Sequence, residues 1–144
     1  MSDSLHLVCP HCARTNRIPA ARLADAPRCG HCHHALFNGS VLELTQASFR
    51  AQIARNDIPV VVDFWAPWCG PCQVMAPHYA AAAAELEPQV RLTKLNTEAE
   101  PALAAEFGIR SIPTLAVFKD GREVARQAGA MMKPDLLRWV RARL

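Results

Sequence analysis

What the sequence lacks narrows it first. No stretch approaches the roughly 18 consecutive apolar residues that a membrane-spanning helix needs. The opening Met1-Ser2-Asp3-Ser4 shows no basic segment followed by an apolar one, so the expectation is a cytoplasmic protein with no membrane partner. Neither basic nor acidic residues are in marked excess: a formal net charge of +3 is too small to argue for a nucleic-acid surface. Residues 1–40 hold one aromatic ring of the Phe, Trp or Tyr type, Phe37, which removes the exposed aromatics that a nucleic-acid-binding ribbon uses. Apolar residues are plentiful, and at 51% they suffice for a packed core. The length fits one ordinary domain, or a domain with a small appendage.

Cysteine is abundant. Six in 144 residues would suit a secreted disulfide scaffold, but all six fall into three C-x-x-C pairs and the expected compartment is a reducing one. Metal binding and redox chemistry are the better readings.

Cys9, Cys12, Cys29 and Cys32 form C-x2-C-x16-C-x2-C, a spacing that belongs to tetrahedral zinc sites. Pro10 and Gly30 follow the first cysteine of each pair, where a tight turn must aim two sulfurs at one ion. So short a segment, with few large apolar side chains, cannot bury enough surface to fold alone. Zinc would supply the missing free energy, and the segment is expected to be largely unfolded without it. His6, His11, His31, His33 and His34 crowd the same region; with four thiolates at the right spacing they read as solvated or supporting groups. Arg14, Arg17, Arg22 and Arg28 outnumber Asp3 and Asp25 and offset the negative charge of a tetrathiolate site. A redox role for these two pairs is the alternative, but neither follows a buried strand or opens a long helix. Ile18 to Leu23 reads as a short helical turn. Phe37-Asn38-Gly39-Ser40 reads as a boundary, because Asn-Gly marks a turn. That division gives a zinc-binding module over 1–38 and a second domain over 39–144, close enough in sequence to touch.

The third pair sits differently. Val60-Val61-Val62-Asp63-Phe64-Trp65 reads as a buried strand and the residues after Cys72 as a helix, so Cys69 falls at the helix start. There the unsatisfied N–H groups and the positive end of the dipole favour a thiolate. Cys72, one turn further, can close a small disulfide ring with it. Pro71 suits the first turn, and Pro77 should kink the helix, which runs to about Glu87. Asp63 is the oddity, a carboxylate with apolar neighbours on both sides. Burial would raise its pKa and let it exchange a proton near neutrality. Further elements are expected at Val41 to Leu44 (strand), from Thr45 to Asn56 (helix), at Val90 to Asn96 (strand), from about Pro101 to Phe107 (helix), at Leu115 to Phe118 and Glu123 to Ala128 (strands), and from Lys133 (helix). His78 reads as a surface histidine. Lys94 reads as a solvated charge, and Gly129 as a point of close approach or of positive φ.

Asp63-Phe64-Trp65-Ala66 followed by Trp68-Cys69-Gly70-Pro71-Cys72 resembles the thioredoxin family. So do Lys94-Leu95-Asn96, the run Gly108-Ile109-Arg110-Ser111-Ile112-Pro113-Thr114-Leu115, and Asp120-Gly121, over about Val41 to Leu144. Together with the zinc module the chain looks like the bacterial thioredoxin 2 group. The resemblance implies an α/β thioredoxin fold, a central mixed sheet flanked by helices, preceded by a small zinc-ribbon-like module. It implies a protein-disulfide reductase in which Cys69 attacks, Cys72 resolves and Asp63 helps deprotonate Cys72, with Lys94 near Asp63 and able to pair with it. It further implies a cis bond before Pro113 and a docking surface of Trp68, Gly70, Pro71, Ile112, Pro113 and Gly129. A flavin-dependent thioredoxin reductase would supply electrons, and the chain itself would need no organic cofactor. Ser111 and Thr97 depart from the usual family residues, a glycine and an apolar residue respectively. Two rivals remain: a thiol oxidase or isomerase, which the Gly-Pro between Cys69 and Cys72 argues against, and a docking module with an incidental dithiol. The zinc module could be structural, could tune the dithiol, or could sense oxidants by releasing its metal.

Overall fold

The computed structural model describes residues 3–144. Five strands make the main sheet: β3 (Leu42–Leu44), β4 (Val60–Trp65), β5 (Arg91–Asn96), β6 (Thr114–Lys119) and β7 (Arg122–Ala128), in the order β3-β5-β4-β6-β7. The first three in that order run parallel and the last two pair antiparallel, so the sheet is mixed as expected. Helices α1 (Gln46–Arg55) and α3 (Pro101–Glu106) cover one face; α2 (Gly70–Leu86) and α4 (Lys133–Arg141) cover the other.

Strand alternation decides which side chain meets which helix. Val60, Val62 and Phe64 of β4 join Phe49, Ile53, Leu103 and Phe118 in one core. Val61 turns the opposite way, toward Met75, Tyr79, Leu136 and Val140. Asp63 and Trp65 share that second direction, so β4 delivers its one carboxylate to the face covered by the helix that carries Cys72. Pro77 lies inside α2, and Pro71 occupies its first turn. His78 is half-buried and accepts a hydrogen bond from the backbone N–H of Lys133 at 3.0 Å, satisfying a donor at the start of α4.

The first forty residues are more ordered than sequence pattern suggests. β1 (Ser4–Val8) and β2 (Thr15–Pro19) form an antiparallel hairpin, followed by a 3-10 turn at Ala20–Arg22. Thr-Asn-Arg-Ile-Pro carries one large apolar residue, too weak a pattern to declare a strand alone. Leu7, Ile18 and Leu36 pack with Ile58, a residue just before β4. The small part therefore completes its core with a side chain of the large one.

Among the described residues, no helix is long and apolar enough to cross a membrane.

Candidate active site and metal centre

Cys69 is the N-cap of α2, and Cys72 lies in the first turn, so both sulfurs sit where the helix begins. They are joined by a disulfide with a Cα–Cα separation of 5.2 Å. The backbone N–H of Cys72 donates to Cys69 Sγ at 3.2 Å, one of the otherwise unsatisfied donors of a helix start. Both cysteines are nearly closed off, Cys69 at 4% and Cys72 at 3% exposure, among Ala66, Trp65 and Ile112.

Ile112 and Pro113 form the opposing wall. Their peptide bond is cis, and the carbonyl oxygen of Ile112 lies 3.7 Å from Cys69 Sγ. Gly129 adopts φ +100° and donates its N–H to the carbonyl of Pro113 at 2.9 Å, which fixes it beside this wall. A side chain there would meet no atom within 4 Å, so the positive φ, rather than lack of space, requires glycine. Trp68 is 70% exposed, and Gly70 and Pro71 are exposed beside it. The Gln73 amide donates to the carbonyl of Pro67 at 2.6 Å and closes the loop under Trp68. The residues expected to form a docking surface thus gather around Cys69.

Asp63 lies beneath the disulfide at 4% exposure, and its Oδ1 has no hydrogen-bond partner. It shares a cavity of about 150 Å³ with Cys72, Tyr79, Trp65 and Lys94. Burial pushes its carboxyl up to about 7; Lys94 pulls it back and Glu43 pushes it further up. The Tyr79 hydroxyl lies 2.7 Å from the carbonyl of Thr93 and 3.2 Å from that of Val61, and burial keeps it neutral. Lys94 departs from expectation. It is aligned with Asp63 in the sheet register, but the ion pair it forms is with Glu43, at 3.9 Å, and its ammonium lies 4.8 Å from the centre of the Trp65 ring. Its long side chain follows solvent and the ring rather than turning inward to the carboxylate. Thr97 donates its hydroxyl to the carbonyl of Trp65 at 3.0 Å, and the carbonyl of Ser111 accepts from Thr114 at 2.6 Å, so both unusual residues support loops at the rim.

The other four cysteines converge. Their sulfurs all lie within 4.8 Å of one another, with Cys9 to Cys32 at 3.5 Å and Cys12 to Cys29 at 3.6 Å. Zinc–sulfur bonds of about 2.3 Å in a tetrahedron set the sulfurs about 3.8 Å apart, so the donor set fits such an ion. The two loops repeat one geometry. In each, the N–H of the third residue donates to the first sulfur, His11 to Cys9 at 3.3 Å and His31 to Cys29 at 3.4 Å. In each, the residue after the pair has positive φ, Ala13 at 62° and His33 at 65°. The N–H of Cys32 and the Asn16 amide hold the Cys29 thiol down to about 5, whereas burial pushes the Cys9 thiol up, so the case for a metal rests on the convergence of the four sulfurs. Among the described residues no histidine joins this cluster; His11 and His34 stack on each other at 3.8 Å.

Residues that sequence reasoning missed tie the two parts together. Arg91, at 2% exposure, donates from Nη2 to the carbonyls of Val8 at 3.3 Å and Leu36 at 2.9 Å, and lies 4.6 Å from the Phe37 ring centre. Asn56 accepts from the N–H of Val8 at 2.8 Å and donates to the Gln52 side chain at 2.7 Å. The Asp57 N–H donates to His6 O at 2.9 Å, and the His6 N–H donates to the Asp57 carboxylate at 2.6 Å. The only signal in the sequence was polar residues inside apolar segments.

Comparison with known proteins agrees with this arrangement. The thioredoxin family pattern matches residues 40–142, and the family described as thioredoxin 2, N-terminal, a zinc ribbon, matches residues 8–34. Thioredoxin C-3 of Corynebacterium nephridii is 45% identical over 134 residues, covering 93% of this chain and 92% of that protein. Thioredoxin of Porphyra purpurea is 50% identical over 97 residues, 67% of this chain and 91% of its own length. Thioredoxin of Haemophilus influenzae is 43% identical over 100 residues, 69% of this chain and 94% of its own. The chain belongs to the thioredoxin family of protein-disulfide reductases and carries at its N-terminus the zinc ribbon of the thioredoxin 2 type.

Proposed function

We propose that Cys69 is the attacking thiol, Cys72 the resolving thiol and Asp63 the proton acceptor of a two-step reduction of protein disulfides. The observation that carries this reading is the Cys69–Cys72 pair at the start of α2, faced by the Ile112 carbonyl and underlain by a buried carboxyl in the same cavity as Cys72. In the first step Cys69 thiolate attacks one sulfur of the substrate disulfide, and the other substrate sulfur leaves as a thiolate. In the second, Cys72 gives its proton to Asp63 and attacks Cys69 Sγ, releasing the second substrate thiolate. Two electrons pass to the substrate, and the Cys69–Cys72 disulfide remains.

Trp68, Gly70, Pro71, Ile112, Pro113 and Gly129 receive an extended stretch of substrate, with backbone groups of the Ile112 segment pairing to it as an added strand. A flavin-dependent thioredoxin reductase returns the electrons, and the cytoplasm is the compartment where such a cycle runs. Lys94 modulates Asp63 by its charge rather than by direct pairing.

The division at residues 38 and 39 separates this machinery from a zinc module held by Cys9, Cys12, Cys29 and Cys32. A closed tetrathiolate zinc would supply a redox-inert crosslink between the two loops. A structural role is favoured over tuning of the dithiol by the sheet itself. The module docks on Arg91 and Ile58 at the starts of the parallel strands, while Cys69 follows the end of β4. Six residues of strand separate those ends by about 17 Å.

The test is reduction of insulin disulfides by the reduced protein, with Cys69→Ser as control. Turnover far above that of a small dithiol, lost in the variant, is the expected result. A rate no better than a small dithiol's would overturn the reading in favour of a docking module.

A further inference from the structure

Three charged residues stand in one row across the sheet. The register pairs Glu43 of β3 with Lys94 of β5, and Lys94 with Asp63 of β4. Residues paired in this way point to the same face, here the one covered by α2. The row runs from solvent inward. Glu43 and Lys94 are partly open, with side-chain exposures of 42% and 36%, whereas Asp63 is buried. Glu43 holds both neighbours at the outer end: Oε1 lies 3.9 Å from the Lys94 ammonium, and Oε2 accepts from Trp65 Nε1 at 3.4 Å. At the inner end one oxygen of Asp63 is left without a partner.

We propose that Glu43 is a positioning residue for disulfide exchange: it keeps the Lys94 ammonium from pairing with Asp63, and so leaves the buried carboxylate a strong enough base to take the Cys72 proton. The inference rests on the reading of Asp63 as proton acceptor. A carboxylate paired to an ammonium binds a proton weakly and would be a poor match for a thiol; one left alone in an apolar cavity binds it well. The titratable and charged groups that face Asp63 are few. They are Lys94 from β5, Glu43 from β3, and Cys72 and Tyr79 from α2; β6 contributes Leu115 at that register. Of these, Glu43 pushes the Asp63 carboxyl toward its protonated form, both by its own charge and by holding the lysine. An exposed pair such as Glu43 with Lys94 adds little stability in itself. Its use is electrostatic and reaches the thiol through Asp63.

Glu43→Gln keeps an acceptor for Trp65 and removes the charge. The midpoint of the Asp63 carboxyl, followed by carbon NMR in the oxidised full chain, is expected to fall by about half a unit or more, the order expected of one charge several ångströms away. The pH profile of mixed-disulfide resolution by the reduced protein should move to lower pH with it. Lys94→Met should move both the opposite way, and Glu43→Asp should restore part of the shift. An unmoved midpoint and profile in Glu43→Gln, with Asp63→Asn still slowing resolution, overturns the role of Glu43 and leaves Asp63 in place. If Asp63→Asn itself leaves the resolution rate and its pH profile unchanged, the underlying assignment of Asp63 fails.

Discussion

In the small N-terminal part, Cys9 and Cys12 sit in the loop between two strands and point their sulfurs at Cys29 and Cys32 from a second loop. In the large part, Cys69 and Cys72 share the first turn of a 17-residue helix and bond to each other. The sequence spacing is the same in all three pairs, and the difference lies in the backbone just after the second cysteine. After Cys12 and Cys32 the chain turns through positive φ, at Ala13 and His33, which stops a helix and leaves both sulfurs on the inside of a tight turn. After Cys72 it continues as helix, and the sulfur of Cys69 takes the N-cap position. A C-x-x-C pair thus becomes a half-site for metal or a redox dithiol according to its backbone context, and the choice is made by the next residue or two.

Exchanging single cysteines breaks this comparison hardest. Cys69→Ser removes the sulfur proposed to attack, and disulfide reduction is expected to fall by roughly 10³-fold or more. Cys72→Ser should instead accumulate a covalent complex with substrate, visible on non-reducing gels. Cys9→Ser is expected to leave insulin reduction within about twofold of the parent, since distant sites act independently. A comparable loss of activity in Cys9→Ser would mean that the two regions are functionally one.

Metal removal sharpens the same contrast. With zinc at the four-cysteine site as proposed, a strong chelator should strip it and abolish amide protection in the segment of Cys9 to Leu36, because four thiolates without an ion repel one another and the segment's own core is small. Protection in β4, β5 and β6 should persist. Loss of exchange protection throughout the sheet would show instead that the module and the large domain unfold together.

The large domain was largely legible in the sequence because it repeats one pattern. Apolar runs, caps and prolines marked its strands and helices to within a residue or two, and Val60 to Trp65 matched its strand end for end. Asp63 was legible as a carboxylate where none should be. The partner of Lys94 is not legible, because strand register gives its neighbours in the sheet but not which of two carboxylates its flexible end will choose. Glu43 was illegible for the related reason that its partner, Lys94, is 51 residues away and only the β3 to β5 register brings them together. The N-terminal hairpin escaped notice because its pattern is short and its core is borrowed from Ile58. Arg91 escaped because a buried arginine looks, in sequence, like any charge at the start of a strand.

That arginine offers the next test of how firmly the regions are joined. Arg91→Met keeps the length and apolar stem of the side chain but leaves the carbonyls of Val8 and Leu36 without their shared donor. At about 1–3 kcal/mol for each buried group left unsatisfied, a loss of roughly 2–5 kcal/mol is expected in denaturant unfolding. Arg91→Lys should recover a part of this, since an ammonium keeps the charge without the planar fork. A change below about 0.5 kcal/mol would show that the docking rests on Ile58 and the Asn56 network instead.

The smallest effect expected concerns Asp63, and its sign is opposite to that of most buried-residue substitutions. Its folded-state pKa of about 7 lies above the unfolded value of 3.8, so between those pH values the folded oxidised protein holds a proton that the unfolded chain has lost. The resulting contribution to stability is fully present below about pH 4, declines as pH rises and is gone above about pH 7. A gap of about three pH units between the two values corresponds to about 4 kcal/mol at most, and partial access of water to the cavity reduces this to roughly 2–3 kcal/mol. Asp63→Asn removes the charge that must be buried above neutrality while keeping the shape. It should therefore make the oxidised protein more stable at pH 8 by about that amount, change it little at pH 4, and flatten the slope between. Slower resolution of mixed disulfides should accompany the gain, because the same unfavourable burial that weakens the fold makes the carboxylate a base. If stability and resolution rate both stayed at parent values across this range, the carboxyl would have to be solvated and ionised throughout, and neither its buried charge nor its proton would enter the reaction.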